Sequence, residues 1–114
     1  MYNQKAIDNL LRIGGDELVL QVVDLYRQHV PQRINNLPEL LESKNFADIE
    51  RSAHSVKSSA GNLGLDEVLY AARDLEHAAS QEAYAESKNA LDELLSASQD
   101  AIKSLNQLEK KLKP

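Results

Sequence analysis

The stretch FADIERSAHSVKSSAGNLG, Phe46–Gly64, decides the fold class, because only one periodicity accounts for its apolar residues. Phe46, Ile49, Ala53, Val56, Ala60 and Leu63 recur at intervals of three and four, the spacing that gathers side chains on one face of an α-helix. Asn45 stands ahead of the stretch as an N-cap with Asp48 three residues on, and Gly64 suits the left-handed position that follows a helix end.

The same period recurs outward in both directions. Upstream, Ile7, Leu10 and Leu11 mark a short helix over about Asn3 to Arg12, ending at Gly14-Gly15. Asp16 is a natural N-cap for the next helix, with Leu18, Val22 and Leu25 as its apolar set. Pro31 interrupts that pattern before Ile34, Leu37 and Leu41 resume it, so the chain either kinks there or starts a new helix, and Pro38 bends the segment again. Ser43-Lys44-Asn45 reads as a turn.

Downstream, Asp66-Glu67 opens a helix with Leu65, Val68, Ala72, Leu75 and Ala79 as core positions. Ser80 then caps a long last helix that turns Tyr84, Leu91, Leu95, Ile102, Leu105 and Leu112 inward. Nothing reads as a strand. The expectation is an all-α chain, a single domain over 1–114, folded as an antiparallel up-and-down four-helix bundle with a short N-terminal capping helix.

Composition narrows the function. With 42% apolar and 27% charged residues, the chain has an ordinary globular balance. The absence of cysteine excludes disulfides, thiolate metal sites and cysteine nucleophiles. A net charge of −5 argues against nucleic acid, which requires a basic stripe to displace counterions. The cluster Lys110, Lys111 and Lys113 complements the dipole at the end of the last helix. No apolar run approaches membrane-spanning length and the first residues are too polar for a signal peptide, so a cytoplasmic location is expected.

One helix face carries chemistry. At roughly 100° per residue, His54 falls roughly 140° from the centre of the apolar sector and faces solvent. Lys57, Ser58 and Gly61 lie three, four and seven residues beyond it and share its face. An exposed imidazole beside a cation and two very small residues is unusual on a solvated helix, where long polar side chains prevail. Glycine inside a helix costs about 1 kcal/mol relative to alanine, which implies close approach of other atoms at Gly61. Ser58, Ser59 and Gly61 suit either helix packing or docking of a partner.

An imidazole in water titrates near pH ~6.5 and is mostly neutral at neutral pH, leaving one ring nitrogen with a free lone pair. Attack on a phosphoryl group needs that nitrogen exposed, the other nitrogen held as a donor, and positive charge near the phosphoryl oxygens. Lys57 can supply the charge. Glu76, beside the core residue Leu75, is a candidate acceptor for the second nitrogen, or else a surface acid paired with Arg73 or a lysine.

Other chemistries fit less well. A zinc site from His54, Glu76 and His77 would need adjacent residues to point together, although they diverge by about 100°, and no metal site is expected. A hydrolase built on Ser58, His54 and Glu76 lacks an oxyanion hole, because mid-helix amides are already bonded. No P-loop or kinase signature is present, so the chain is expected to carry phosphate without ATP binding or enzymatic turnover of its own. A non-catalytic helical adaptor is the alternative.

The stretch Ala53-His54-Ser55-Val56-Lys57-Ser58-Ser59-Ala60-Gly61-Asn62-Leu63-Gly64, with the Leu75-Glu76 pair of the next helix and the upstream helix around Leu25 to Leu41, resembles the histidine-containing phosphotransfer (HPt) family. The resemblance implies that the distal nitrogen of His54 accepts a phosphoryl group from a receiver-domain aspartate and passes it to another receiver. It implies that Lys57 steadies the phosphoryl and that Glu76 orients the ring. Gly61 and Gly64 match motif glycines, while Ser58 stands where family members most often have glycine. Implied partners are response-regulator receiver domains and a cognate hybrid sensor kinase, with the carrier a monomer. No cofactor is expected on this chain, the Mg²⁺ belonging to the receiver. Ser58, Gly61, Ile7 and Leu11 are candidate docking residues, although Ile7 and Leu11 could equally be core.

Overall fold

The structure, a computed structural model, describes residues 2–114. Four helices occur in the order α1 (Gln4–Glu42), α2 (Phe46–Asn62), α3 (Asp66–Ser80) and α4 (Tyr84–Leu112), with no strand among the described residues. Each packs against its chain neighbours, and α4 closes the ring against α1. The three-residue connections force antiparallel neighbours, which yields the expected up-and-down bundle. No helix of the described residues is long and apolar enough to cross a membrane.

The expected short first helix is the leading arm of α1. Helical backbone is broken inside α1 only at Gly15, with φ 70° and ψ −164°. Glycine takes this conformation without steric cost, so Gly15 supplies the break that the sequence placed at an Asp16 N-cap. The arm is anchored at its start. The Asn3 side chain accepts from the Lys5 N–H, and the Asn3 N–H donates to the Gly64 carbonyl at 2.6 Å.

Beyond Gly15 the structure narrows one expectation for α1 and corrects another. The helix runs through both Pro31 and Pro38, so of the two alternatives at Pro31 the start of a new helix is ruled out. Each proline lacks an N–H and costs about 3 kcal/mol in a helix interior. Burial of Val30, Ile34, Leu37 and Leu41 on either side of the prolines offsets that cost. The core face of the first half is Val19, Val23, Tyr26 and Val30, while Leu25 is 54% exposed. The run Leu18–Tyr26 offers two overlapping stripes of helical spacing, and the one in phase with Ile34, Leu37 and Leu41 is buried.

α2 and α3 follow the sequence reading closely. Asn45 caps α2, accepting from the Asp48 N–H and donating to its carboxylate at 2.7 Å. Leu65, Val68, Ala72, Leu75 and Ala79 are all buried. Ser80 does not cap α4. Its hydroxyl donates back to the His77 carbonyl at 2.6 Å and so closes α3. α4 presents Leu91, Leu94, Leu105 and Leu108 inward with small residues such as Ser87, Ala90 and Ala101 between them, while Tyr84 is exposed.

Tyr26 is 2% exposed, and its hydroxyl has no hydrogen-bond partner among the described residues. Burial pushes the phenol's pKa far up, so it stays neutral. An unsatisfied buried hydroxyl costs about 1–3 kcal/mol. Tyr26→Phe is therefore expected to raise stability by about 1 kcal/mol in urea unfolding, and a loss of that size would contradict the orphaned hydroxyl.

Candidate functional site

His54 stands in the middle of α2, on the face opposite Ile49, Ala53, Val56 and Ala60, with 61% of its side chain open to solvent. Because α3 returns antiparallel beside α2, Glu76 is brought level with His54. Its position next to buried Leu75 puts it at the seam between the two helices. There its carboxylate has two partners. Oε2 lies 2.8 Å from His54 Nδ1, and Oε1 accepts from Lys57 Nζ at 2.7 Å.

The three residues differ in exposure in a useful way. Lys57 and Glu76 are 30% and 21% exposed, far less than the imidazole they support. The Lys57 ammonium, hydrogen-bonded to Glu76, holds that carboxyl below the usual carboxylate range. Burial works against the shift and the His54 hydrogen bond adds to it. A carboxylate can only accept, so in the neutral ring Nδ1 carries the proton and donates to Glu76. That leaves Nε2 as the open nitrogen with a lone pair.

Of the two readings of Glu76, ring acceptor or partner of a basic side chain, the geometry satisfies both, with Lys57 as the basic partner. Arg73 is occupied elsewhere, lying over the Tyr70 ring at 5.1 Å and near Asp74 at 3.9 Å.

Ser58 is exposed and Gly61 half-buried on the His54 side of α2. A Cβ at Gly61 would meet only the tip of Leu69, at 3.3 Å, so packing against α3 leaves some latitude there. Leu11 is half-buried. Ile7, at 1% exposure, belongs to the core and is not available to a partner, which corrects its place among the docking candidates. The arm that carries it is tied to Gly64 through Asn3, and Ile7 packs into the core cluster. Toward the start of α2 an open groove separates that helix from α1, lined by Arg33, Asn36, Leu40, Ser52 and Ser55 among others. Among the described residues no group of three or more His, Asp or Glu side chains is placed to hold a metal ion.

The family model of the Hpt domain matches residues 21–109, a span containing His54, Lys57 and Glu76. The chain belongs to the Hpt domain family. Hpt domains are phosphocarriers with a histidine phosphotransfer role, acting in signal-transduction phosphorelays with kinase and receiver domains. Searches of curated proteins and of solved structures give no match. In this Hpt domain the arm before residue 21 lies outside the matched span, while the whole of α2 and α3 lies within it.

The sequence reading placed Leu25 in the apolar set of its helix, and the structure corrects this. It is exposed, and around α1 it lies within about 20° of Asn36, which lines the groove beside α2. The signal was present in the doubled stripe of α1, where one of two apolar faces had to remain outside the core.

Proposed function

We propose that this Hpt domain carries the phosphoryl group on Nε2 of His54, taking it from the aspartyl phosphate of one receiver domain and delivering it to another. The observation that supports this most is the hydrogen bond from Nδ1 to Glu76, which leaves Nε2 as a solvent-facing nucleophile. The Nε2 lone pair attacks phosphorus and a P–N bond forms. The P–O bond to the receiver's aspartate breaks, and its electron pair leaves on the carboxylate. Nδ1 keeps its proton throughout. The ring gains positive charge, which the Glu76 carboxylate at 2.8 Å faces directly. Delivery to the next receiver is the same step in reverse.

Ser58, Gly61, Leu11 and Leu25 form the surface on which a receiver docks, with the small residues closest to the phosphoryl. Any Mg²⁺ in the exchange belongs to the receiver's own acidic pocket. The test is incubation with a phosphorylated receiver. The expected product is an acid-labile, base-stable phosphoramidate on this chain, and a domain that stays unlabelled would refute the proposal.

Glu76→Gln weakens a charge-assisted hydrogen bond worth about 1.5–3 kcal/mol, so uptake is expected to slow on the order of 10- to 100-fold. Stability supplies a second readout. The folded-state pKa of Glu76 lies below its unfolded value. Its contribution is therefore complete above the ordinary carboxylate range, about pH 4.3, and is lost as pH falls through the lower folded value. A wild-type advantage over Glu76→Gln that grew with acidification would contradict this sign.

A further inference from the structure

The two ring nitrogens of an imidazole project in roughly opposite directions, so fixing one aims the other. Nδ1 of His54 is turned to Glu76 on α3, and Nε2 is therefore turned away from the seam between α2 and α3. Counted at roughly 100° per residue around α2, Lys57 and Ser58 flank His54 at roughly −60° and +40°. Lys57 marks the α3 flank, because its ammonium reaches Glu76 at 2.7 Å. Ser58 stands on the other flank, the one Nε2 faces. Helical Cα–Cβ bonds tilt toward the N-terminus, which leans the Ser58 side chain back over the turn that carries His54.

The Ser58 hydroxyl is also uncommitted. A serine in a helix can satisfy itself on a carbonyl three or four residues earlier, as Ser43 and Ser80 do at the ends of α1 and α3. Among the described residues Ser58 makes no such bond, and it is exposed. Other donors one turn from the ring are engaged, Lys57 with Glu76 and Arg51 with Asp48. Glu50, one turn before His54, repels an anion and biases a phosphoryl group toward the Ser58 side.

Resting on the phosphoacceptor reading of His54, we propose that the Ser58 hydroxyl donates a hydrogen bond to a phosphoryl oxygen on Nε2 and so lengthens the time for which the domain holds its phosphoryl group. In hydrolysis the P–N bond breaks, its electron pair returns to Nε2, and water adds to phosphorus to give inorganic phosphate. The transition state is metaphosphate-like, so its oxygens carry less charge than those of the bound dianion. A hydrogen bond to those oxygens is charge-assisted and stabilises the phosphorylated carrier more than the transition state. Loss to water slows, and the exchange equilibrium with a receiver shifts toward the carrier.

The experiment loads the whole chain with phosphoramidate, a small donor that needs no docking surface: Nε2 attacks phosphorus and ammonia leaves. After removal of the donor, decay of phosphohistidine near neutral pH is followed by ³¹P NMR. The His54 signal is the one lost in His54→Gln, which separates it from any label on His29 or His77. Ser58→Ala is expected to lose its phosphoryl group about 3- to 10-fold faster than wild type. Ser58→Thr, which keeps the hydroxyl, should match wild type, and so should Ser59→Ala, turned about 100° away. Equal lifetimes in wild type and Ser58→Ala would overturn the proposal, as would a Ser58→Thr protein as short-lived as Ser58→Ala. A wild-type spectrum with no signal that His54→Gln removes would overturn the phosphoacceptor reading along with it.

Discussion

Replacing His54 with Gln is expected to abolish phosphoryl uptake while leaving the bundle folded. The side chain is 61% exposed and is not part of the buried core, so its loss removes little apolar burial. Glu76 keeps its bond to Lys57, and no buried charge is stranded. Surface changes of this kind fall within about 0.5 kcal/mol. The amide of Gln offers no nucleophilic lone pair, and Ser58 cannot substitute, because its hydroxyl has no base to activate it once the imidazole is gone. Labelling from a phosphorylated receiver should therefore drop to background while the thermal melt overlays wild type. Labelling equal to wild type would move the phosphoacceptor elsewhere. A helical adaptor would bind its partners as well as before, so a receiver pull-down alongside the labelling separates occupancy from chemistry.

Where the sequence could be read, one stripe faced one core. α2 and α3 each carry a single apolar stripe at helical spacing, and their buried residues emerge as expected. α1 was ambiguous because Leu18–Tyr26 is apolar on adjacent positions. Local periodicity cannot choose between two stripes about 100° apart, and only the register with the far end of the same helix decides. The prolines left a choice open for a related reason. Intrinsic propensity allows a new helix to start at Pro31 as readily as a kink, whereas the packing of a long helix along its whole length overrides a cost of a few kcal/mol.

The site was legible in its members and not in its wiring. His54, Lys57 and Ser58 share a face by arithmetic alone. Glu76 was a candidate for the ring because it flanks Leu75, with a surface ion pair as the alternative reading. That Lys57 would bond the same carboxylate depends on the lateral offset of two helices, which no spacing within either helix encodes.

Two glycines of the same motif are expected to respond oppositely to alanine, and the contrast ties the fold to the site. Gly64 sits at φ +65°, and a Cβ there would lie 2.6 Å from the Asn3 carbonyl oxygen, 2.8 Å from the Asn3 Cβ and 2.9 Å from the Ala6 Cβ. A left-handed alanine costs about 1–2 kcal/mol, and overpacking adds about 1–3. Backbone cannot yield as a side-chain tip can, because the Asn3 N–H is itself bonded to Gly64. Gly64→Ala is thus expected to lower stability by about 2–5 kcal/mol, on the order of 10 °C in Tm, and to loosen the arm that buries Ile7. Gly61→Ala should change stability by no more than about 1 kcal/mol, since the helix gains propensity while Leu69 gives way. Transfer should follow the reverse order. Gly61 lies two turns from His54 on the face where a receiver must approach, so its methyl obstructs docking in a fully folded protein. Gly64 lies beyond the helix end, so folded Gly64→Ala molecules should exchange phosphoryl at close to the wild-type rate. A Gly64→Ala protein as stable as wild type would mean that the arm is not held where Asn3 and Gly64 place it, and the core around Ile7 would need another support.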